Sequence, residues 1–152
     1  MEIKTGICRF GLWKVRVVWS ENLIYKVSFL RIGDESPVPG QIKLYLAGKI
    51  KDFSPLISVA VSDGYPYFEI YRAVSKIPFG ETRTYSEIGE LTGIHHRTVG
   101  IAMKRNPTPL IIPCHRVVSK NGIGGFTPDI GIKQSLLKME NKYSKSRRFI
   151  ID

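Results

Sequence analysis

The segment from Asn106 to Cys114 constrains the fold more than any other part of the chain, because it contains prolines at positions 107, 109 and 113. Proline lacks an amide donor and forces the residue before it into an extended conformation, so no helix can continue through the segment. The sequence predicts a stiff turn over Asn106-Pro107-Thr108-Pro109, followed by a buried, strand-like run, Leu110-Ile111-Ile112. Pro113 then joins this run to Cys114, which places a reactive thiol directly after a buried segment.

The size of the chain suits one ordinary domain or two small ones that share an interface. Its 152 residues are 43% hydrophobic, which is enough to bury a core. No apolar run approaches the roughly 20 residues that a membrane span needs, and the N-terminus lacks a signal-peptide pattern. We therefore expect a folded, cytoplasmic protein that does not enter a membrane.

The two cysteines, Cys8 and Cys114, are far apart in the sequence, and neither belongs to a Cys-x-x-Cys pair. A disulfide framework or a cysteine-based zinc site is therefore not expected. His95 and His96 are adjacent but lack a spaced third ligand, so we predict no metal site.

The charge of the chain is strongly positive and unevenly distributed. The formal net charge is +10; Lys and Arg minus Asp and Glu give 9 − 6 = +3 for residues 1–65 and 14 − 7 = +7 for residues 66–152. An excess of this size favours a polyanionic partner, although a solvated basic surface would give the same count. The second half is the better candidate for contacts with phosphates.

The first part of the chain has the pattern of a small α/β unit over residues 1–62, without a recognisable catalytic constellation. Two apolar runs separated by Ser20-Glu21-Asn22 predict a β-hairpin, and a loop, a short helix and an irregular or strand-like stretch to Val61 follow. The hairpin runs are Leu12 to Trp19 and Leu23 to Leu30. The loop is Asp34 to Gly40, and the helix is Ile42 to Ala47, ending at Gly48.

The pattern changes near Ser62-Asp63-Gly64, which we take as the boundary of a second, mainly helical unit over residues 66–152. Pro66 can begin a helix. Apolar residues then recur at near-helical spacing until Pro78 and Gly80 stop it; they are Phe68, Tyr71, Val74 and Ile77.

A helix pair follows in the same unit. Thr84-Tyr85-Ser86-Glu87 is a capping box that starts a helix at Tyr85, and this helix breaks at Gly93. In the next periodic segment Val99, Ala102 and Met103 share a face. Helix, short glycine-containing turn and helix form the pattern of a helix-turn-helix, which many enzymes also contain without binding DNA.

Two interpretations of Cys114 stay open from the residues alone. A free cysteine is commonly a small buried hydrophobe. However, His115 and Arg116 follow it directly, and both would be costly to bury beside an inert thiol. A neighbouring base or cation stabilises a thiolate, so the same residues also fit a nucleophile.

One contiguous motif consists of Ile112-Pro113-Cys114-His115-Arg116-Val117-Val118 and the preceding Arg105 to Ile111, and it resembles the active-site signature of the O6-alkylguanine-DNA alkyltransferases. The resemblance covers roughly residues 66–140. It extends to flanking elements in the same order: Ile77-Pro78-Phe79-Gly80-Glu81, Tyr85, Arg97 to Met103, Lys133, Leu136-Leu137 and Glu140. Before Ser62, the match is confined to short runs such as Tyr45-Leu46-Ala47-Gly48. The implied fold is α/β (α+β), with a small N-terminal domain containing a short antiparallel sheet and a helical C-terminal domain containing a helix-turn-helix.

The resemblance also implies catalytic roles. Cys114 matches the nucleophile, His115 the base that takes its proton through a water, and Glu140 the acid that polarises His115. Asn106 matches the residue that braces the turn before the active site, and Tyr85 the donor to guanine N3. Without the resemblance, a solvated helix charge at Glu140 and an amphipathic aromatic at Tyr85 would be the simpler interpretations.

Further positions are implied for DNA and substrate. Arg97 matches the arginine that replaces an extruded nucleotide, although a phosphate contact is the ordinary alternative. The other expected DNA contacts are Thr98, His96, Lys104 and Arg116, and the expected substrate pocket comprises Met103, Pro109, Val117, Phe126 and Thr127. His95, His96 and Thr98 stand where the family has smaller residues, and Phe126, Thr127 and Pro128-Asp129 where it has tyrosine, serine and a glycine pair.

The function implied is irreversible, single-turnover transfer of an alkyl group from O6-alkylguanine in double-stranded DNA to Cys114, with O4-alkylthymine as a further candidate substrate. The base would first be flipped out of the duplex. No cofactor is expected, because the damaged DNA supplies the alkyl group. Two alternatives are a non-catalytic protein that binds alkylated DNA, which would lack the reactive cysteine, and a thiol-sensing regulator, which would need a dimerisation element. We see no such element and expect a monomer.

Overall fold

The computed structural model describes the backbone of residues 2–151 and the side chains of residues 2–144. Met1 and Asp152, the outer ends of the two predicted units, lie outside the described residues. A four-stranded sheet is built from β1 (Lys4–Phe10), β2 (Trp13–Ser20), β3 (Leu23–Leu30) and β4 (Ile57–Ser58). The strands lie in this order; β1, β2 and β3 pair antiparallel, and β4 pairs parallel to β3.

The predicted hairpin is β2 and β3, and that prediction is confirmed. Its register follows from alternate burial, with Val15 and Val17 of β2 and Val27 and Phe29 of β3 in the core. The edge strand β1 was not predicted. It contains Gly6, where a Cβ atom would lie 1.8 Å from the carbonyl oxygen of Pro37, so only glycine lets the 34–40 loop pack on this strand.

The described part of the chain contains five α-helices. They are α1 (Gly40–Leu46), α2 (Phe68–Ser75), α3 (Tyr85–Thr92), α4 (His96–Lys104) and α5 (Ile130–Ile151). The expectation that Pro66 begins α2 is wrong by two residues, because Tyr67 has a left-handed conformation (φ 65°) and cannot belong to the helix. Pro66 instead lies in the turn that leads into α2.

The connection between α3 and α4 follows local chemistry. The capping box is present, since Thr84 Oγ1 accepts from the Glu87 amide and the Glu87 carboxylate accepts from the Thr84 amide. Gly93 ends α3 with φ 74°. Inside α3, a Cβ atom on Gly89 would lie 2.7 Å from the Ile94 carbonyl oxygen, so glycine allows the turn to fold against the helix.

The segment that follows α4 is a stiff turn, as the prolines predict, but Leu110-Ile111-Ile112 is not strand-like. Leu110 has φ 80°, which reverses the chain, and the Ile112 amide donates to the Thr108 carbonyl over 3.0 Å. The chain then forms a 3-10 turn, Cys114–Arg116, and a short strand β6 (Val117–Val118) that pairs parallel with β5 (Arg83–Thr84).

Two buried clusters form the core of the described residues, and each contains side chains from before and after residues 62–66. One cluster combines side chains of the sheet and α1 with Leu110, Ile132 and Leu136, and the other packs α2, α3 and α4 together with Ile112 and Val117. The first unit therefore packs directly on the segment that carries Cys114. Within the described part of the chain, no helix is long and apolar enough to cross a membrane.

Candidate active site

Cys114 is held by the turn that precedes it. The Asn106 amide nitrogen donates to the Ile112 carbonyl, and its oxygen accepts from the Thr108 amide, both over 2.9 Å. Thr108 is fully buried, and its hydroxyl oxygen lies 2.6 Å from that of Ser58 in the first unit. The turn is thus closed on itself by Asn106 and fixed to the rest of the molecule by Thr108.

Cys114 is only 7% exposed, and it lines a cavity of about 390 Å³. Burial raises the pKa of its thiol to about 11, although a hydrogen bond from Asn106 and the charge of Lys133 act in the opposite direction. The thiol is therefore neutral at physiological pH. A reaction that needs the thiolate needs a base beside it.

Glu140 contacts the two residues that follow Cys114 and is buried rather than solvated. Its Oε2 atom is 2.7 Å from His115 Nε2, and its carboxylate accepts from Arg116 Nε and Nη2 and from the Gly80 amide. Burial alone would raise the pKa of Glu140, but hydrogen bonds from His115 and Arg116 outweigh it and hold the pKa well below its usual range. The carboxylate is therefore ionised.

His115 is fully buried, and burial lowers the pKa of its imidazole. Because an ionised Glu140 can only accept, the proton of the neutral ring belongs on Nε2. Nδ1 then carries a lone pair, and it has no hydrogen-bond partner among the described protein atoms. The ring thus presents a buried, unprotonated nitrogen next to the residue that bears the thiol.

The structure adds a residue that the sequence did not single out. Tyr45 of α1 donates from its hydroxyl to Glu140 Oε2, and the same hydroxyl oxygen lies 3.1 Å from His115 Nε2. The short match at Tyr45-Leu46-Ala47-Gly48 marked this position, but nothing in the local pattern distinguishes it from an ordinary core aromatic. Its contact is created only by the packing of α1 on α5.

Tyr85 and Lys133 are two further ionisable residues close enough to Cys114 to interact with it electrostatically. Lys133 is fully buried; its Nζ donates to the Val117 carbonyl over 2.6 Å and to the Gly125 carbonyl over 3.2 Å. Burial lowers the pKa of Lys133 to about 8, while the Cys114 thiolate would raise it. Burial raises the pKa of Tyr85, and a Cys114 thiolate would raise it further, so Tyr85 keeps its phenolic proton.

Most of the predicted substrate-pocket residues do line the cavity at Cys114. Met103, Pro109, Phe126 and Thr127 form its wall together with Tyr85 and Asn106. Val117 does not, because it is fully buried in the helical core. Gly100, Ile101 and Gly125 line the cavity but were not predicted; Ile101 is a large apolar residue with 43% exposure, which a helical pattern cannot distinguish from a core position.

The expected DNA contacts divide into two groups. Arg97 and Lys104 lie exposed on α4 and line the cavity, His96 is exposed and stacked on His95 at 4.3 Å, and Thr98 is partly exposed on the same helix. Arg116 does not fit its predicted role. Its buried guanidinium binds Glu140 and donates to the Ile77 carbonyl over 2.7 Å, so a phosphate contact would require these bonds to break.

Comparison with known proteins agrees with this geometry. Residues 67–142 match the family described as 6-O-methylguanine DNA methyltransferase, DNA binding domain. The chain belongs to the 6-O-methylguanine DNA methyltransferase family. A methylated-DNA--protein-cysteine methyltransferase of Metallosphaera sedula is 32% identical over 151 residues, which cover 94% of this chain and 96% of that protein.

Solved structures of the 6-O-methylguanine DNA methyltransferase family have the same fold. Mycobacterium tuberculosis OGT in complex with DNA superposes with a TM-score of 0.76 at 26% identity, covering 90% of this chain and 92% of that one. An O6-methylguanine DNA methyltransferase from Methanococcus jannaschii gives a TM-score of 0.63 at 30% identity, with coverages of 89% and 92%. The α/β fold class expected from the sequence is confirmed.

Proposed function

We propose that this protein repairs DNA by moving the alkyl group of O6-alkylguanine irreversibly onto Cys114. The observation that carries the proposal is a buried thiol at the wall of a base-sized cavity, next to a histidine whose Nε2 is fixed by Glu140. A neutral thiol on the residue before a histidine with an unprotonated Nδ1 fits a nucleophile and its base, with a water to link them. Family membership and the named relatives support the same activity.

In the proposed reaction, the Cys114 proton passes through a water to His115 Nδ1, and the thiolate attacks the alkyl carbon. A carbon–sulfur bond forms as the carbon–O6 bond breaks, and the bonding pair stays on the guanine. Tyr85 donates a hydrogen bond to guanine N3 during the displacement. The proton that left Cys114 then passes from His115 through solvent to the guanine anion, so the products are ordinary guanine and the thioether, and the other side chains are unchanged. The thioether is stable, so each molecule reacts once and needs no cofactor.

We propose that α3 and α4 form the helix-turn-helix that binds DNA. Cys114 is too deeply buried for O6 of a stacked base to reach it, so the damaged nucleotide must leave the duplex. We propose that Arg97, which is exposed on α4 and lines the cavity, fills the gap left by the nucleotide, and that Lys104 on the same helix binds phosphates. His96 and Thr98 are proposed as flanking contacts.

Within the cavity, we propose that Met103, Pro109 and Phe126 bind the faces of the flipped base and that Thr127 offers its amide to O6. Phe126 is supported from behind by Phe29 of β3, with ring centroids 5.8 Å apart in an edge contact. The first unit therefore supports the substrate wall.

We further propose that the protein acts as a monomer in the cytoplasm, and that the chain divides into units of residues 1–62 and 66–152.

The proposal is tested by incubating the protein with a duplex that contains O6-methylguanine and measuring peptide masses. The peptide with Cys114 should gain one methylene unit, while the peptide with Cys8 should not. Cys114→Ala should abolish transfer and keep DNA binding. Unmodified Cys114 after saturating binding would overturn the proposal and favour a non-catalytic damage-binding protein.

A further inference from the structure

We infer that Tyr45 is a positioning residue for the alkyl transfer: its hydroxyl fixes the proton of the His115–Glu140 pair on His115 Nε2. The first unit of the chain would then complete the active site rather than only support it. The consequence for the transfer rate rests on the proposed function, whereas the proton arrangement itself does not.

The hydroxyl lies where the two catalytic side chains meet. Tyr45 is fully buried, and its ring is held between Phe53 and Phe79, with centroid distances of 4.7 Å and 6.0 Å. It donates to Glu140 Oε2, which His115 Nε2 approaches within 2.7 Å, and its oxygen is 3.1 Å from that nitrogen. The hydroxyl therefore contacts both partners at once.

The donors around Glu140 determine where each proton lies. Its oxygens accept from Arg116, the Gly80 amide and Tyr45, so the carboxylate is ionised and has no proton to give. Because the Tyr45 proton points to Glu140, its oxygen can present only a lone pair to His115. The tautomer with the proton on Nε2 can donate to both Glu140 and the Tyr45 oxygen, and it leaves Nδ1 unprotonated and able to act as a base.

The hydroxyl should also keep His115 neutral. The ionisable groups that face the ring are Cys114 and Arg116 beside it, Lys133 and Glu140 from α5, and Tyr45 from α1. Arg116 and Lys133 oppose a positive charge on the ring, and Glu140 favours one. By donating to Glu140, Tyr45 shares the negative charge of the carboxylate and weakens its pull on the imidazole.

The alternative is that Tyr45 only fills space between α1 and α5. A phenylalanine would fill the same space, so Tyr45→Phe separates the two roles. Tyr71→Phe is a matched control, because Tyr71 is also buried (1% exposed) and loses a hydroxyl that donates to the Ala102 carbonyl over 2.8 Å, outside this network. Thermal unfolding of both variants measures the general cost of the lost hydroxyl.

The kinetic test is the pH dependence of single-turnover transfer. In Tyr45→Phe, Glu140 loses the hydrogen bond from the hydroxyl and attracts the imidazolium more strongly, which should raise the pKa of His115. The acidic limb of the profile of rate against pH should therefore shift to higher pH by about one unit. At a given pH on that limb, the rate should fall by up to about tenfold, because a shift of one pH unit changes the neutral fraction of the imidazole by up to that factor. Tyr71→Phe should leave the limb in place. A Tyr45→Phe profile that superposes on the parent profile would overturn the inference.

A second measurement does not need transfer activity. In 15N NMR of the histidine rings, His115 is assigned by its loss in His115→Gln, and the parent should have the Nε2–H state at neutral pH. Tyr45→Phe should raise the midpoint of its titration. An Nδ1–H ring in the parent, or equal midpoints in a folded Tyr45→Phe, would overturn the inference. If Cys114 were not alkylated, the proposed function would be overturned, but the NMR titration would still test the role of Tyr45.

Discussion

His115 Nε2 lies 2.7 Å from Glu140 Oε2, and both side chains are at most 1% exposed. The carboxylate also neutralises Arg116, so a single acidic group balances the buried guanidinium and orients the imidazole. Removal of one partner of a buried ion pair leaves the other charge without compensation. Glu140 is therefore expected to matter for folding as well as for transfer.

Glu140→Gln should lower the free energy of unfolding by about 3–5 kcal/mol, because Arg116 stays buried without its counter-charge. Urea unfolding measures the effect at neutral pH. Glu90→Gln on the exposed face of α3 is the control and should change stability by less than about 0.5 kcal/mol. A Glu140→Gln variant as stable as this control would contradict the assigned ion pair.

The same carboxylate gives a pH dependence of stability. Its folded pKa lies below the ordinary value of 4.5, so on acidification the unfolded state binds the proton first. The contribution of Glu140 is complete above pH 4.5 and is lost as the pH falls towards its folded pKa. The stability difference between parent and Glu140→Gln should therefore narrow from neutral pH to about pH 3 in urea titrations. A constant difference would argue against an ionised Glu140.

Asn106→Ala should loosen the turn that positions Cys114. The change removes the bonds to the Ile112 carbonyl and the Thr108 amide, which should cost about 1–3 kcal/mol. The transfer rate should fall while DNA affinity is retained, because the cavity keeps its DNA-facing residues. Asn141→Ala, at an exposed position of α5, is the control. Equal transfer rates for the two variants would show that Asn106 does not position the thiol.

The parts of this molecule that the sequence predicts are those set by local chemistry. Thr84 and Glu87 form their capping box within four residues, and Gly93 ends α3 for the reason expected of glycine. The prolines after α4 form the predicted stiff turn, and Asn106 braces it as the family resemblance implied. In each case, the deciding contacts lie within a few residues in the sequence.

The parts that were missed depend on distant packing. Arg116 was predicted to contact DNA, because its partner Glu140 lies 24 positions away in the sequence and the contact forms only in the folded chain. Tyr45 is 95 positions from Glu140, and no periodicity links them. Leu110 is a further case: its apolar neighbours suggest a strand, but Thr108 and Ile112 close a turn that forces it to φ 80°. Family resemblance supplied Glu140, whereas its donors became visible only in the folded chain.

Gly89→Ala should disturb the pairing of α3 with α4. The new methyl group would lie 2.7 Å from the Ile94 carbonyl oxygen, so the turn must move. We expect a loss of about 1–3 kcal/mol in unfolding free energy and weaker DNA binding. Gly40→Ala is the control, since a Cβ atom there meets nothing within 4 Å. Unchanged stability of Gly89→Ala would mean that the turn tolerates the extra atom.

Lys104 and Arg97 are expected to act differently on DNA, and salt dependence distinguishes them. If Lys104 contacts a phosphate, Lys104→Ala should reduce the slope of log affinity against log salt concentration by about 0.9. It should also weaken binding to damaged and undamaged duplexes by the same factor. Arg97→Ala should instead slow transfer from a duplex more than transfer from a single strand, because only the duplex has a gap to fill. Lys26→Ala, exposed on β3, is the control for lost charge. Equal slopes for Lys104→Ala and Lys26→Ala would contradict the proposal that α4 belongs to the DNA-binding surface.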